Sequence, residues 1–308
     1  MRKYLPISVI VPTYNRADYL SETLNAILSQ QDQDLELIVV DDFSSDDSRK
    51  VLTSFKENHP EIVLVFLEKN LGESNAVNVG WSLSSKQFIS IVNSDDPPHK
   101  SWLQDMTKEI REHSGFGFYY PNRLVIDKNG SVLREEILKD WSQKVLYENL
   151  VPIASAGLII DREKLPVSFE PRDVNVIFPS DLIQMFRLGL LTNGLRVKTA
   201  WGTWRQHTES ITGSHSAKNL VQHFELSVGN WLAQNEKTIN QFSRKRVRLC
   251  YFYAHINLLL RREFGIISSY IQLTKTSAIS AFSHDPSLFF VAAHIAIVRA
   301  IKRLKRAA

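Results

Sequence analysis

The sequence predicts an α/β protein with a mainly parallel sheet flanked by helices, followed by a helical extension. Three observations predict it. Short β-rich apolar runs recur through the first hundred residues, segments of helical spacing stand between them, and the loops that close the runs are polar or acidic.

Ile7 to Val11 is an apolar run closed by Pro12, and Tyr19, Leu20, Leu24, Ile27 and Leu28 then fall on one face of a helix. Leu35 to Val40 is a second strand, ended by Asp41-Asp42. Asp46 or Asp47 is placed to cap the next helix, which runs to about Asn58. Ile62 to Leu67 is a third strand. Asn70-Leu71-Gly72 turns into a helix reaching Trp81, and Phe88 to Val92 is a fourth strand ending at Asn93-Ser94-Asp95-Asp96. Alternation of this kind implies right-handed βαβ units, whose ligands bind beyond the carboxyl ends of the strands. Pro12–Arg16, Asp41–Ser45 and Asn93–Asp96 are thereby expected along one sheet edge.

Beyond residue 115 the pattern changes. Gly117–Tyr120 and Arg123–Ile126 read as two short strands, with Asp127-Lys128-Asn129-Gly130 as a hairpin turn. Ala156–Ile160 is a further strand before a loop rich in Pro and acidic residues. Asp181–Leu190 reads as a helix closed by Asn193-Gly194, and mostly helix is expected from about Ser216 to the end. The organisation expected is a domain over 1–213, with halves 1–114 and 115–213, and a basic helical extension over 214–308.

The chain has 308 residues, 44% of them hydrophobic and 23% charged, which suffices for a sizeable core and excludes a disordered chain. Its single cysteine, Cys250, excludes an internal disulfide and a Cys-based zinc cluster, and fits a reducing, cytoplasmic compartment. The apolar stretch at Ile7 to Val11 is too short for a signal peptide. Residues 1–213 carry 23 Lys/Arg against 29 Asp/Glu, a net of −6, and residues 214–308 carry 14 against 4, a net of +10; together they give the chain's +4. An acidic body with a basic tail points to an anionic partner for the tail.

No Gly-x-Gly-x-x-Gly follows the first strand and no Walker A loop occurs, which argues against dinucleotide and P-loop sites. Carboxylates gathered on one sheet edge repel one another unless a cation or hydrogen-bond donors sit among them. A hard divalent ion with oxygen ligands, bridging a diphosphate, satisfies such an arrangement.

Four segments, in order, carry a resemblance: Val11-Pro12-Thr13-Tyr14-Asn15-Arg16, then Val39-Val40-Asp41-Asp42-Phe43-Ser44-Ser45-Asp46, then Asn70-x-Gly72 through Ala76-x-Asn78-x-Gly80, then Ser94-Asp95-Asp96. Together they resemble the family 2 glycosyltransferases of GT-A fold, over about residues 5–213. The resemblance implies an inverting enzyme that uses a nucleoside diphosphate sugar, UDP-linked by preference, with Mg²⁺ or Mn²⁺. It implies that Pro12, Thr13, Tyr14, Asn15 and Arg16 line the base, that Asp42 accepts a hydrogen bond from base or ribose, and that Asn70, Gly72, Asn93, Ser94 and Asp95 complete the nucleotide-sugar site. Asp95 and Asp96 are the implied metal ligands, Asp95 first. Two departures stand out: Asn93 where the family usually has Asp, and Val77 where it often has Arg.

Ser180-Asp181-Leu182, with Arg187-Leu188-Gly189, resembles the family's Glu-Asp motif with Ser180 in place of Glu, and implies Asp181 as the catalytic base. Trp204-Arg205-x-His207 resembles the segment that closes the donor site. There His207 is an implied metal ligand and Arg205 an implied partner for phosphate charge. The implied acceptor is a glycan or a lipid-linked glycan of surface polysaccharide synthesis. A silent nucleotide-sugar-binding relative is the nearest rival reading. A sugar nucleotidyltransferase is a weaker one, since Pro12–Arg16 contains no glycine.

In the tail, an apolar stretch from Ser287 to Ile301 abuts Arg299, Lys302, Arg303, Lys305 and Arg306, the pattern of an interfacial helix at an anionic membrane surface. It is too short and too interrupted to span a bilayer. A second basic cluster surrounds Arg244–Arg248. Neither cluster belongs to a recognisable nucleic-acid fold, so no nucleic acid is expected.

Overall fold

The computed structural model describes residues 5–30, 34–142, 156–176 and 179–207, with Ser227 and Trp231. Its contacts divide the chain into two compact units, one of residues 1–146 and 150–216, the other of residues 147–149 and 217–308. The expected helical extension, its apolar-basic tail and Cys250 lie outside the described residues, apart from helical positions at Ser227 and Trp231. Among the described residues no helix is long and apolar enough to cross a membrane.

The first unit is built on an eight-stranded sheet. β1 (Pro6–Thr13), α1 (Ala17–Leu28), β2 (Asp34–Asp41), α2 (Ser48–Asn58), β3 (Val63–Phe66), α3 (Glu73–Leu83) and β4 (Phe88–Ile91) follow the alternation expected from the sequence. β1 pairs in parallel with β2 on one side and β4 on the other, and β2 pairs in parallel with β3. The order 3-2-1-4 opens a crevice where the winding direction reverses, next to β1. Val9, Ile10, Val11, Ile38, Val39 and Val40 are wholly buried, as strands covered on both faces require. α3 lies close on β1, because a β-carbon on Gly80 would stand 2.4 Å from Ile10 Cγ2.

Three features differ from the sequence expectation. α4 (Trp102–Glu112) falls outside the elements expected, although Trp102, Leu103, Met106 and Ile110 are buried at helical spacing. The two short strands either side of Pro121 are one strand, β5 (Phe118–Ile126), because the register against its partner shifts at Pro121/Asn122 and absorbs the missing donor. The third is β8 (Gly194–Arg205), which runs parallel to β5 directly after the helix α5 (Ser180–Leu191). β6 (Val132–Glu136) completes the expected hairpin, and β7 (Ile159–Asp161) joins β4 to β5 by antiparallel pairing. The sheet is thus parallel at one end and mixed at the other.

Candidate functional site

The carboxyl ends of β1, β2 and β4 deliver the three polar loops to one edge. After Thr13 the chain turns through Asn15, which takes a left-handed φ of 51° that asparagine tolerates better than most residues. The turn is fastened to the loop after β2: Asn15 N–H donates to Ser44 Oγ at 2.9 Å, and Ser45 N–H donates to Asn15 Oδ1 at 2.8 Å. Pro12 and Thr13 are buried, whereas Tyr14 is exposed at the rim. Phe43 is also left-handed, at φ 65°, which is unfavourable for a bulky side chain. Its ring lies over the Arg49 guanidinium, which rests against Phe66 as well and donates to Asp41 Oδ2 at 2.8 Å.

Asp42 is buried and spends one oxygen on each of two backbone donors, Leu71 N–H at 2.7 Å and Gly72 N–H at 2.8 Å. Burial raises its carboxyl above the ordinary value, against the pull of those two hydrogen bonds, and the charge of Asp41 adds to the rise. Gly72 has φ 87°, so the turn into α3 needs glycine. The Asp42 carboxylate therefore sets the shape of the Asn70–Gly72 loop, with Asn70 exposed at its crest.

The centre of the edge is Asp95. Its Oδ2 accepts from Arg16 Nε at 3.0 Å and lies 3.0 Å from His207 Nε2. The His207 ring, 3% exposed, packs on Tyr19 with centroids 4.7 Å apart. Asp96 is turned the other way. Its Oδ1 accepts from Arg205 N–H at 2.6 Å and its Oδ2 from Asn93 Nδ2 at 2.8 Å. Burial, and then the charge of Asp95, push the Asp96 carboxyl up to about 8. Ser94, just before them, is buried as well.

Arg205, expected beside phosphate, faces protein instead. It is 2% exposed, donates to the carbonyls of Asp95 at 2.8 Å and Lys128 at 2.8 Å, and pairs with Glu22 at 2.6 Å. Its guanidinium is spent on fastening β8 to α1 and to the Asp95 turn. That corrects the expected role, because a guanidinium committed to acceptors of the protein itself is not available to a phosphate.

Asp181 sits in the first turn of α5, where Leu182 N–H donates to its Oδ1 at 2.8 Å. The N-cap position belongs to Pro179, so Asp181 lies inside the first turn and not at the cap. Asp181 and Asp95 both raise the Glu73 carboxyl, although burial is the larger cause and Arg172 opposes it. The three carboxylates therefore share one neighbourhood. Glu73, Arg172 and Gln184 carry no motif. Arg172 lies in a Pro-rich loop, and only the tertiary fold brings that loop to α3.

Donor chemistry bears on whether a divalent ion fits. One carboxylate oxygen and one imidazole nitrogen face each other 3.0 Å apart, about the spacing of adjacent ligands at ~2.1 Å from an octahedral ion. Among the described residues no group of three or more His, Cys, Asp or Glu side chains is arranged for a metal. The fit is that of an ion held by two side chains and completed by phosphate oxygens and water. Asp96, with both oxygens engaged inside the protein, supplies neither.

Residues 8–154 match the family model described as glycosyl transferase family 2. The chain is similar to the GalNAc(5)-diNAcBac-PP-undecaprenol beta-1,3-glucosyltransferase of Campylobacter jejuni, 33% identical over 42% of this chain and 41% of that protein. Curated relatives are matched over only part of their length, for example 30%, 63% and 39% of three of them. Residues 1–349 of S. aureus TarS, solved in complex with UDP, share the fold with a TM-score of 0.57 at 18% identity, over 90% of this chain and 89% of that one. A mannosyltransferase of Pyrobaculum calidifontis, solved with GDP-Man and Mn²⁺, does so with a TM-score of 0.58 at 16% identity, over 98% and 87%.

Proposed function

We propose that this chain, whose residues 8–154 match glycosyl transferase family 2, moves a sugar from a UDP-linked donor to a hydroxyl of a surface glycan or lipid-linked acceptor, inverting the anomeric carbon. The observation that carries the reading is the convergence of Arg16, Asp95 and His207 at the carboxyl ends of the parallel strands. Asp95 and His207 would hold Mg²⁺ or Mn²⁺, which when bound neutralises charge on the donor diphosphate. Arg16 adds a fixed cation beside the same carboxylate.

The loop Pro12–Arg16 and the carboxylate of Asp42 receive the base and ribose, with Asn93 at the ribose edge. Asn93 donates to Asp96 and brings no charge, so Asp95 is left as the anionic ligand of that turn. Asp181 acts on the acceptor. It takes the hydroxyl proton as that oxygen forms its bond to the anomeric carbon and the bond to the diphosphate oxygen breaks. The electron pair leaves with the nucleoside diphosphate.

Calorimetry of UDP binding with and without Mn²⁺ tests the donor site. Mn²⁺ should tighten binding by about tenfold or more (~1.4 kcal/mol), and Asp95→Asn should remove most of that gain. UDP affinity indifferent to both the ion and Asp95 overturns the assignment.

A further inference from the structure

A small cavity opens beside the proposed donor site. Asn93 and Asp96 line it from the β4 turn, Gln184 from the first turns of α5, Thr203 from β8, and Arg172 from the loop that precedes α5. Its volume is about 20 Å³, room for about one water-sized group.

Arg172 is the unusual member. It is 2% exposed, yet its Nε and Nη1 have no hydrogen-bond partner among the described residues. Only Nη2 is engaged, by Glu73 Oε1 at 3.3 Å. Gln184, also 2% exposed, brings another unsatisfied buried donor, Nε2. Leaving a buried donor unmade costs about 1–3 kcal/mol, and more for a charged group. Three such donors in one cavity are an expensive arrangement unless something accepts from them.

The position is held from both sides. Asn78 of α3 accepts from Arg172 N–H at 3.0 Å and donates to the Arg172 carbonyl at 3.0 Å. Ser74 of the same helix donates to the Val176 carbonyl at 3.3 Å. The loop is thus tied to the helix that begins at Gly72, and its guanidinium is delivered among carboxylates. Val77, fully buried on the same helix, contributes no charge.

We propose that Arg172 and Gln184 form a recognition pocket for one oxyanion oxygen of the donor substrate. Nε and Nη1 lie on different edges of the guanidinium, so each offers a single charge-assisted N–H to an oxygen of a phosphate or carboxylate, and the cavity has room for about one such oxygen. Two sources present that chemistry: the donor's diphosphate, or a carboxylate on the transferred sugar. The inference rests on the donor reading above.

The test uses the full chain with Mn²⁺, titrated by calorimetry with UDP, UMP, UDP-glucose and UDP-glucuronate, in the parent and in Arg172→Gln. If the oxyanion is the diphosphate, the variant loses about tenfold or more for UDP while UMP binds as before. If it is a sugar carboxylate, the parent prefers UDP-glucuronate over UDP-glucose, and the variant loses that preference with UDP unchanged. Equal binding of all four ligands by parent and variant overturns the proposal. Should Arg172→Gln fail to fold, Gln184→Met is read on the same ligands, and an unchanged pattern there overturns it equally. UDP that fails to bind even the parent sinks the donor reading, and this inference with it.

Discussion

The two ends of the sheet use their carboxylates in different ways. At the parallel end, Asp41 and Asp42 are buried and work largely on the protein itself: Asp41 holds Ser44 N–H and Arg49, and Asp42 holds Leu71 and Gly72 N–H. Their loops are shaped before any ligand binds. At the mixed end, Asp181 rises from a helix start packed by wholly buried Leu182, Ile183 and Phe186, and accepts from the Leu182 backbone N–H on its own turn. One region spends charge on shape, and the other holds a carboxylate in the first turn of a helix. Asp95 and Asp96 show the same division between adjacent residues, since Asp96 accepts only from inside while Asp95 faces Arg16 and His207.

The comparison breaks most visibly at Asp181. If its charge serves a proton transfer, Asp181→Asn should lower sugar transfer or donor hydrolysis by on the order of a hundredfold to ten-thousandfold. UDP affinity should stay close to the parent's, because the base acts in the transition state and touches the nucleotide little. Near-parental turnover in that variant would remove Asp181 from the chemistry.

Next in size is a pH effect that belongs to Asp96. Its folded carboxyl is raised to about 8 from an ordinary 3.8, so the folded chain keeps a proton that the unfolded chain sheds. The sign follows: stability falls as pH rises from about 4 toward about 8, and levels off above. With EDTA present, the urea midpoint should drop between pH 5 and pH 8 by an amount equal to a few kcal/mol at most, and Asp96→Asn should flatten that slope. A parental midpoint that holds constant over the interval would show Asp96 to be ionised throughout.

The smallest expected effect tests the shape-setting end. Asp42→Ala removes the acceptor of two backbone donors and should cost about 1–3 kcal/mol in denaturant unfolding. Asp42→Asn, which keeps one acceptor oxygen, should cost less. If both variants unfold like the parent, the carboxylate does not organise the Asn70–Gly72 turn.

How much of this was legible in the sequence follows the same division. The alternation from β1 to β4 is local, with Val9–Val11 and Ile38–Val40 as buried runs and Leu20, Leu24 and Ile27 at helical spacing, so periodicity finds it. The loops at the strand ends follow from topology. Pro121 reads as a break, yet the chain continues through it, because a register shift against β8 depends on a partner nearly eighty residues later. Arg205 was misread for a related reason. Its neighbours in sequence suggested a phosphate site, while its actual partners, Glu22 and the carbonyls of Asp95 and Lys128, lie far away along the chain. Arg172 had no local signal at all, since nothing near it in the sequence announces that Asn78 will hold it.

The Arg205 clamp has a consequence for how the molecule comes into being. Asp95 and His207 are 112 positions apart, and Arg205 reaches Glu22 across 183. Contacts so distant in sequence form late, because closing long loops costs chain entropy before it yields contacts. A ribosome that has released only the family-matching stretch 8–154 has exposed Asp95 but not the imidazole that faces it. The nascent domain at that length also lacks β8, so the β5 edge and the Asp96 carboxylate are without their later partners. The Asp95–His207 pair and the Arg205 staple arrive together, on the same few residues, at the end of β8. The order of synthesis itself thereby sets when the Asp95–His207 pair can first close.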